Sequence, residues 1–304
     1  MGNIVNLNGI KYSLIKSGFL PEDFYYISDS NKPITIDFSH HKTCALLSEE
    51  AYNFDKDWAK DSVNGYLRVK EYDTSNPETG FQGCVYADNK IVIISYRGTD
   101  GESEDLKNDA QMFFGCCPSQ YDDALALYER VKRDERFKDK KIFITGHSLG
   151  GSLAQLVASS PRVQNGPAEV TAITFNPFGQ GDLIEDTNSN FVDYNNSTNY
   201  VISDDFVGTS RKHPGKVANI SITSENSVSF TGSHGIDNFV ENERQFEAAY
   251  EATKEESYVQ TPQNSSIFSS LCSLIGEMLN DCGRAIASLF GFGDDMNDTK
   301  SRLA

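Results

Sequence analysis

Lys141-Ile142-Phe143-Ile144-Thr145-Gly146-His147-Ser148-Leu149-Gly150-Gly151-Ser152-Leu153-Ala154 reads as a strand, a sharp turn and a helix in immediate succession. A β-branched and aromatic run enters Gly146, Ser148 stands at the centre of a G-x-S-x-G spacing, and the helix-competent segment Ser152 to Ser159 leaves it. A nucleophilic serine must project into a pocket from a strained backbone position. The residues two before and two after it must then lack side chains, so that strand and helix can approach closely. Gly146 and Gly150 meet that demand. A serine hydroxyl is nearly inert at neutral pH, so the turn carries chemistry only if the chain also supplies a histidine base and an orienting carboxylate. Without them it is a glycine-rich strand-to-helix connection.

Working outward, Gly80 to Tyr96 reads as a β-hairpin that turns at Asp88-Asn89 into the buried strand Ile91 to Tyr96. That strand ends in Arg97-Gly98-Thr99. A short polar residue reached through a glycine at the carboxyl end of a buried strand can present its N–H and hydroxyl to an oxyanion, although taken alone the stretch fits an ordinary strand-to-loop turn better. Tyr121 to Arg136 carries Ala124, Leu127, Tyr128 and Val131 at helical spacing. Beyond the elbow, Glu169 to Phe175 is a buried strand broken by Asn176-Pro177. Tyr200 to Val207 is another, with Asp204 and Asp205 near the end where a triad acid would sit. Val217 to Ile222 is a third, and His234 stands just ahead of a helical pattern that runs through Tyr250. His40 and His41 open a helix-like stretch, Lys42 to Tyr52, where surface or capping roles are expected of them. Strands and helices alternate, which predicts an α/β fold with a mostly parallel central sheet flanked by helices.

A chain of 304 residues with 38% hydrophobic content can bury one large core, alone or with an appendage. Residues 1–260 are expected to form one catalytic domain, with 1–42 as an extension packed on it and 261–304 as an amphipathic helical segment. In that last segment Ile267, Phe268, Leu271, Leu274, Ile275, Met278, Leu279, Cys282, Ile286 and Leu289 recur at three and four. Such a stripe suits a helix docked on the domain, with membrane contact as the alternative; its polar face lacks the Lys/Arg enrichment of interfacial helices. The formal charge of −17 argues against nucleic acid as a partner and against long-range attraction to anionic membranes. Six cysteines without C-x-x-C or Cys/His metal spacing suggest reduced, mostly buried thiols and no metal. No signal-peptide pattern opens the chain, so synthesis in a cytoplasm is expected, with export or delivery to a host cell by a signal-independent route compatible. The acidic stretch Asp100 to Asp109 and the apolar Ala110 to Pro118 have the character of a lipid-facing lid and equally of a loop packed on the domain.

Ser148, then Asp204 or Asp205, then His234 is the Ser…Asp…His order of α/β-hydrolases. Taken together, Tyr96-Arg97-Gly98-Thr99, Gly146-His147-Ser148-Leu149-Gly150-Gly151, Asp205-Phe206-Val207 and His234 resemble the class 3 lipase family over about Thr43 to Tyr250. That family includes fungal triacylglycerol lipases and plant and bacterial phospholipases A1. The resemblance implies an α/β-hydrolase fold with Ser148 as nucleophile, His234 rather than His213 as base, and Thr99 with the N–H of Leu149 as oxyanion donors. The family's acid precedes an x-Val pair, which implies Asp205 over Asp204, and the histidine matching His147 is usually structural. Gly208 stands where the family often has proline, and the lid stretch is short, which in relatives goes with phospholipase or galactolipase activity. The implied function is a serine carboxylic-ester hydrolase acting on lipids, a phospholipase A1 or lipase, without cofactor or metal. Its partner would be a lipid or acyl-ester substrate, with transient membrane-surface contact through residues 110–118 or the C-terminal helix. A thioesterase or deacylase of protein- or carrier-bound acyl groups would use the same machinery, and a catalytically silent lipid- or protein-binding module is the non-enzymatic alternative.

Overall fold

The structure, a computed structural model, describes residues 35–99, 119–166, 170–186, 190–192, 196–222 and 233–254. The expected lid, the C-terminal amphipathic segment, nearly all of the N-terminal extension and four of the cysteines lie outside those residues. In chain order the described elements are α1 (Phe38–Glu50), β1 (Ser62–Val63), β2 (Tyr66–Arg68), β3 (Thr74–Asn76), β4 (Phe81–Ala87) and β5 (Ile91–Tyr96). They continue with α2 (Tyr121–Arg133), β6 (Lys141–His147), α3 (Leu149–Ala158), α4 (Pro161–Gln164), β7 (Val170–Phe175) and α5 (Gly181–Glu185). The last are β8 (Ser197–Ile202), α6 (Phe206–Thr209), β9 (Lys216–Ile220), α7 (Asp237–Glu241) and α8 (Glu243–Ala252).

One sheet runs in the order β1-β2-β4-β5-β6-β7-β8-β9, with β3 also paired to β4. Strands β5 to β9 are parallel and the β1–β5 side is antiparallel. Successive side chains in a strand point to opposite faces, and the two faces bury different sets. Val92, Ile94, Tyr96, Ile142 and Ile144 pack under α2 and α3, against Leu127, Tyr128, Val131, Leu153 and Val157. Ile91, Ile93, Phe143, Ile173 and Tyr200 face α1 and α8, against Cys44, Leu47, Phe246 and Tyr250. The result is an α/β fold: a mostly parallel sheet covered on both faces by helices, as the alternating pattern predicts.

The parallel register fixes where the chemistry can stand. Tyr96 is level with Gly146, His147 with Phe175, and Phe175 with Tyr200. The carboxyl ends of β5, β6, β7 and β8 therefore form one rim, and the residues that leave it are Thr99, Ser148, Asn176 and Asp205. Such a rim is where ligands bind in open α/β sheets.

Several boundaries differ from the sequence reading, three of them in ways that bear on the site. Helix α1 starts at Phe38, because Asp37 accepts a hydrogen bond from the Ser39 N–H (3.0 Å) and His40 Nδ1 accepts one from the Asp37 N–H (3.2 Å), a reciprocal cap. His40 is the capping residue expected, but His41 is buried, with Nδ1 2.9 Å from the Tyr200 hydroxyl. One step along a helix turns the side chain by about 100°, and that turn carries His41 from the capped end onto the sheet. Strand β8 stops at Ile202, since Asp205 serves as the cap of α6. The helical pattern after His234 splits at Asn242 into α7 and α8. Cys44 and Cys84 are free and buried, as expected of the thiols, and burial pushes both thiols up.

Candidate active site

Ser148 has φ 55 and ψ −125, a conformation that L-residues rarely adopt and that costs about 1–3 kcal/mol. What holds it there is close packing around two glycines. A Cβ on Gly150 would stand 2.1 Å from the Tyr96 carbonyl oxygen, and one on Gly146 would stand 2.3 Å from the Gly150 carbonyl carbon. Strand β6, helix α3 and the end of β5 thus meet backbone to backbone, and the serine is pushed outward to partial exposure. Its own N–H donates to the Phe175 carbonyl (3.0 Å), which ties the turn to β7.

His234 and Asp205 come to this serine from the far side of the rim. His234 Nε2 is 2.8 Å from Ser148 Oγ, and His234 Nδ1 is 3.0 Å from Asp205 Oδ1. A carboxylate can only accept, so the imidazole proton sits on Nδ1 and the serine hydroxyl donates to Nε2. Asp205 is 1% exposed and accepts two backbone bonds besides, from Val207 N–H (3.3 Å) and Gly208 N–H (2.7 Å). Asp204 is exposed. The cap geometry of α6 therefore turns Asp205 inward and its neighbour outward, on the side the x-Val spacing implied.

Leu149 and the Gly98-Thr99 segment lie beside Ser148. Leu149 opens α3, where the first N–H groups have no intrahelical acceptor and the helix dipole is positive. Gly98 lies so close that a Cβ there would be 3.3 Å from Ser148 Cβ, which brings the Gly98-Thr99 backbone beside the serine. All five residues singled out in the sequence meet at the rim.

A second layer of neutral polar groups stands behind them. The carbonyl of His234 accepts from His147 Nε2–H (2.6 Å), which leaves His147 Nδ1 to accept from the Tyr52 hydroxyl (2.8 Å). Burial keeps this imidazole uncharged, its pKa pushed down to about 3. Asn176, fully buried and at φ 42, donates from Nδ2 to the carbonyls of Ser233 and His234 (both 3.1 Å) and accepts the Ile202 N–H on Oδ1 (2.9 Å). His213 is not at the serine. It donates from Nε2 to the Gly208 carbonyl (2.7 Å) and accepts from Gln155 Nε2 (2.9 Å), and burial drives its pKa down to about 4. Gln155 also donates to Asn199 (2.8 Å) and accepts from the Gln180 N–H (2.9 Å). Sequence reasoning did not single out Asn176, Tyr52 or Gln155. The Asn176-Pro177 pair registers only as a strand break, and the partners of the others lie far away along the chain.

Among the described residues no group of three or more His, Cys, Asp or Glu side chains has the arrangement to hold a metal ion. The fold and the elbow define the class: an α/β-hydrolase of the serine-hydrolase type. The model of the phospholipase-like family described as the Tle-like phospholipase domain matches residues 43–199, just over half of the chain, and the chain belongs to that family. The lipase and phospholipase resemblance of the sequence is thereby borne out. An extracellular phospholipase A1 from Serratia liquefaciens is 28% identical over 144 residues, which cover 45% of this chain and 42% of that protein. The chain thus matches less than half the length of this curated relative. Among solved structures, a triacylglycerol lipase from Penicillium expansum overlaps 62% of this chain and 82% of its own at 18% identity, with a TM-score of 0.42. A mono- and diacylglycerol lipase from Aspergillus oryzae overlaps 68% and 89% at 17% identity, with a TM-score of 0.40.

Proposed function

We propose that the chain hydrolyses carboxylic esters of lipids through an acyl-enzyme on Ser148, with phospholipids as the substrate class and the sn-1 ester as the bond cleaved. The observation that carries this reading is the unbroken hydrogen-bond chain from Ser148 Oγ through His234 to Asp205, set on the strained turn at the end of β6. Ser148 Oγ attacks the ester carbonyl carbon as its proton passes to His234 Nε2. Asp205 holds the imidazolium that results, and its two backbone bonds keep it oriented. The negative charge that develops on the carbonyl oxygen is met by the N–H of Leu149 and by Thr99. His234 then returns the proton to the leaving alcohol, and water repeats the sequence on the acyl-enzyme to release the fatty acid. The phospholipase choice is supported by the family match and by the relative from Serratia liquefaciens. Contact with a lipid surface through residues 110–118 or 261–304 belongs to the same reading.

The test is product analysis by mass spectrometry with phospholipids carrying different acyl chains at sn-1 and sn-2. Release of the sn-1 chain by the wild-type protein, and none by Ser148→Ala, is the expected result. Release of the sn-2 chain would overturn the positional assignment, and preferential turnover of acyl thioesters would overturn the substrate class.

A further inference from the structure

The main-chain carbonyl of His234 is held from two directions by residues that leave two different strands. His147, the last residue of β6, donates to it through Nε2 at 2.6 Å, and Asn176, the first residue after β7, donates through Nδ2 at 3.1 Å. We propose that His147 and Asn176 are positioning residues that clamp this carbonyl and so fix the imidazole of His234 between nucleophile and acid. The proposal rests on the triad reading above.

Four features favour a clamp over ordinary loop packing. The same Asn176 amide also donates to the Ser233 carbonyl, while its Oδ1 takes the Ile202 N–H, three residues ahead of Asp205. One buried side chain thus joins the segment that carries the base to the end of the strand that leads to the acid. Asn176 holds a left-handed φ of 42, which asparagine tolerates better than most residues, and its side chain reaches those partners from that conformation. His147 is itself oriented by the Tyr52 hydroxyl, whose oxygen lies 2.3 Å from where a Cβ on Gly98 would be. The line Tyr52, His147, His234 carbonyl therefore runs from the Gly98-Thr99 turn to the base. The rings of His147 and His234 also stand 4.7 Å apart, so a shift of one is felt by the other.

The experiment uses the full chain, a water-soluble p-nitrophenyl ester and a fluorophosphonate probe for the serine. Asn176→Gly keeps the positive φ and removes the arm, and His147→Phe removes the donor, whereas His147→Gln keeps a donor. Asn176→Gly and His147→Phe are each expected to lower kcat and the labelling rate about 10- to 100-fold, with KM within about twofold, because a lost buried hydrogen bond and a slightly misplaced base act on the chemical step. His147→Gln should stay within about threefold of wild type. The double variant should lose less than the product of the single losses, since both bonds hold one oxygen. If either single variant kept kcat within twofold, or raised KM with kcat unchanged, the clamp would be wrong. Should those variants not fold, Asn176→Asp decides, being isosteric while setting an oxygen against two carbonyls: a loss in kcat supports the clamp and an unchanged kcat overturns it. A wild-type protein that resists the probe would instead remove the catalytic-serine reading itself.

Discussion

The two halves of the sheet solve the burial of polar groups in opposite ways. On the parallel side, the groups linked around Ser148 are neutral amides, hydroxyls and imidazoles with Asp205 as the one carboxylate among them; they are joined by buried or half-buried hydrogen bonds, and two of them, Ser148 and Asn176, sit at positive φ. On the antiparallel side, charged side chains stitch the short strands and their loops together, from the nearly buried Arg68–Asp73 pair to the more exposed pairs of Arg136. Arg68 bonds Asp73 (2.6 Å) and the Phe54 carbonyl, Arg136 reaches both Glu71 (2.7 Å) and Asp134 (2.5 Å), and Asp123 gathers Asn76 and Thr79. Buried neutral networks are costly to break, because each orphaned group loses water as well as its partner. Exposed ion pairs are cheap to break, being screened and entropically expensive. The antiparallel side has a positive-φ residue of its own at Asn64, but Ser148, His234 and Asp205 with their buried supports all stand on the one rim.

The contrast can be broken first at its most sensitive point. Asp205→Asn preserves shape but offers an N–H₂ where His234 Nδ1–H needs an acceptor, and kcat for a soluble ester is expected to fall about 10⁴-fold. Asp204→Asn should leave kcat within about twofold, and a reversal of that order in steady-state kinetics would exchange the two acids.

Gly146→Ala tests the close approach under the elbow. Its Cβ would meet backbone atoms of Gly150 and Gly151 at 2.3 to 2.7 Å, and backbone cannot swing aside as a flexible side chain can. A loss of about 1–3 kcal/mol or more in denaturant unfolding is expected, together with most of the activity. Retention of both would mean that strand and helix do not meet so closely.

Acid should act through the neutral network. His41, His147 and His213 are buried with pKa values pushed down to about 3, 3 and 4 from an unfolded value near 6.5. The unfolded chain binds these protons first, so the stabilisation is complete above about pH 6.5 and is lost as pH falls toward the folded values. Each histidine contributes a slope of about 1.4 kcal/mol per pH unit between roughly pH 6 and pH 4. His213→Asn, which can still donate and accept, should flatten the slope of stability against pH by about one histidine's share.

The smallest effect is expected on the other edge. Arg136→Ala removes the hydrogen bonds that hold Asp134 down near a pKa of about 2, yet the arginine is exposed enough that no more than about 1 kcal/mol of stability should go, with kcat unchanged. A large loss of activity would show that the two halves are not separable.

Much of the rim was legible because its signals are local. The G-x-S-x-G spacing encodes close approach within five residues, Arg97-Gly98-Thr99 follows directly on a strand, and Asp205 and His234 stand in the required order. Asp205 over Asp204 needed a family pattern, because the choice is made by a cap whose two N–H donors are not visible as residue types. What stayed hidden depends on long-range pairing. His41 and His40 look alike in sequence, and only the sheet beneath α1 separates a buried imidazole from a capping one. Asn176 looks like a chain breaker next to proline, and its three side-chain bonds go to residues 26 to 58 positions away. His213, flanked by Lys212 and Pro214, looks like a surface residue, yet it supports the Gly208 carbonyl behind the acid.

The most direct measurement is fluorophosphonate labelling of the intact chain followed by peptide mass spectrometry, at neutral pH, for the wild type, His234→Ala and Ser148→Ala. A single adduct on Ser148 in the wild type, a labelling rate reduced by at least about 10³-fold in His234→Ala, and no adduct in Ser148→Ala are the predicted results. An adduct on another residue, or undiminished labelling of Ser148 without His234, would contradict a rim built to activate this serine.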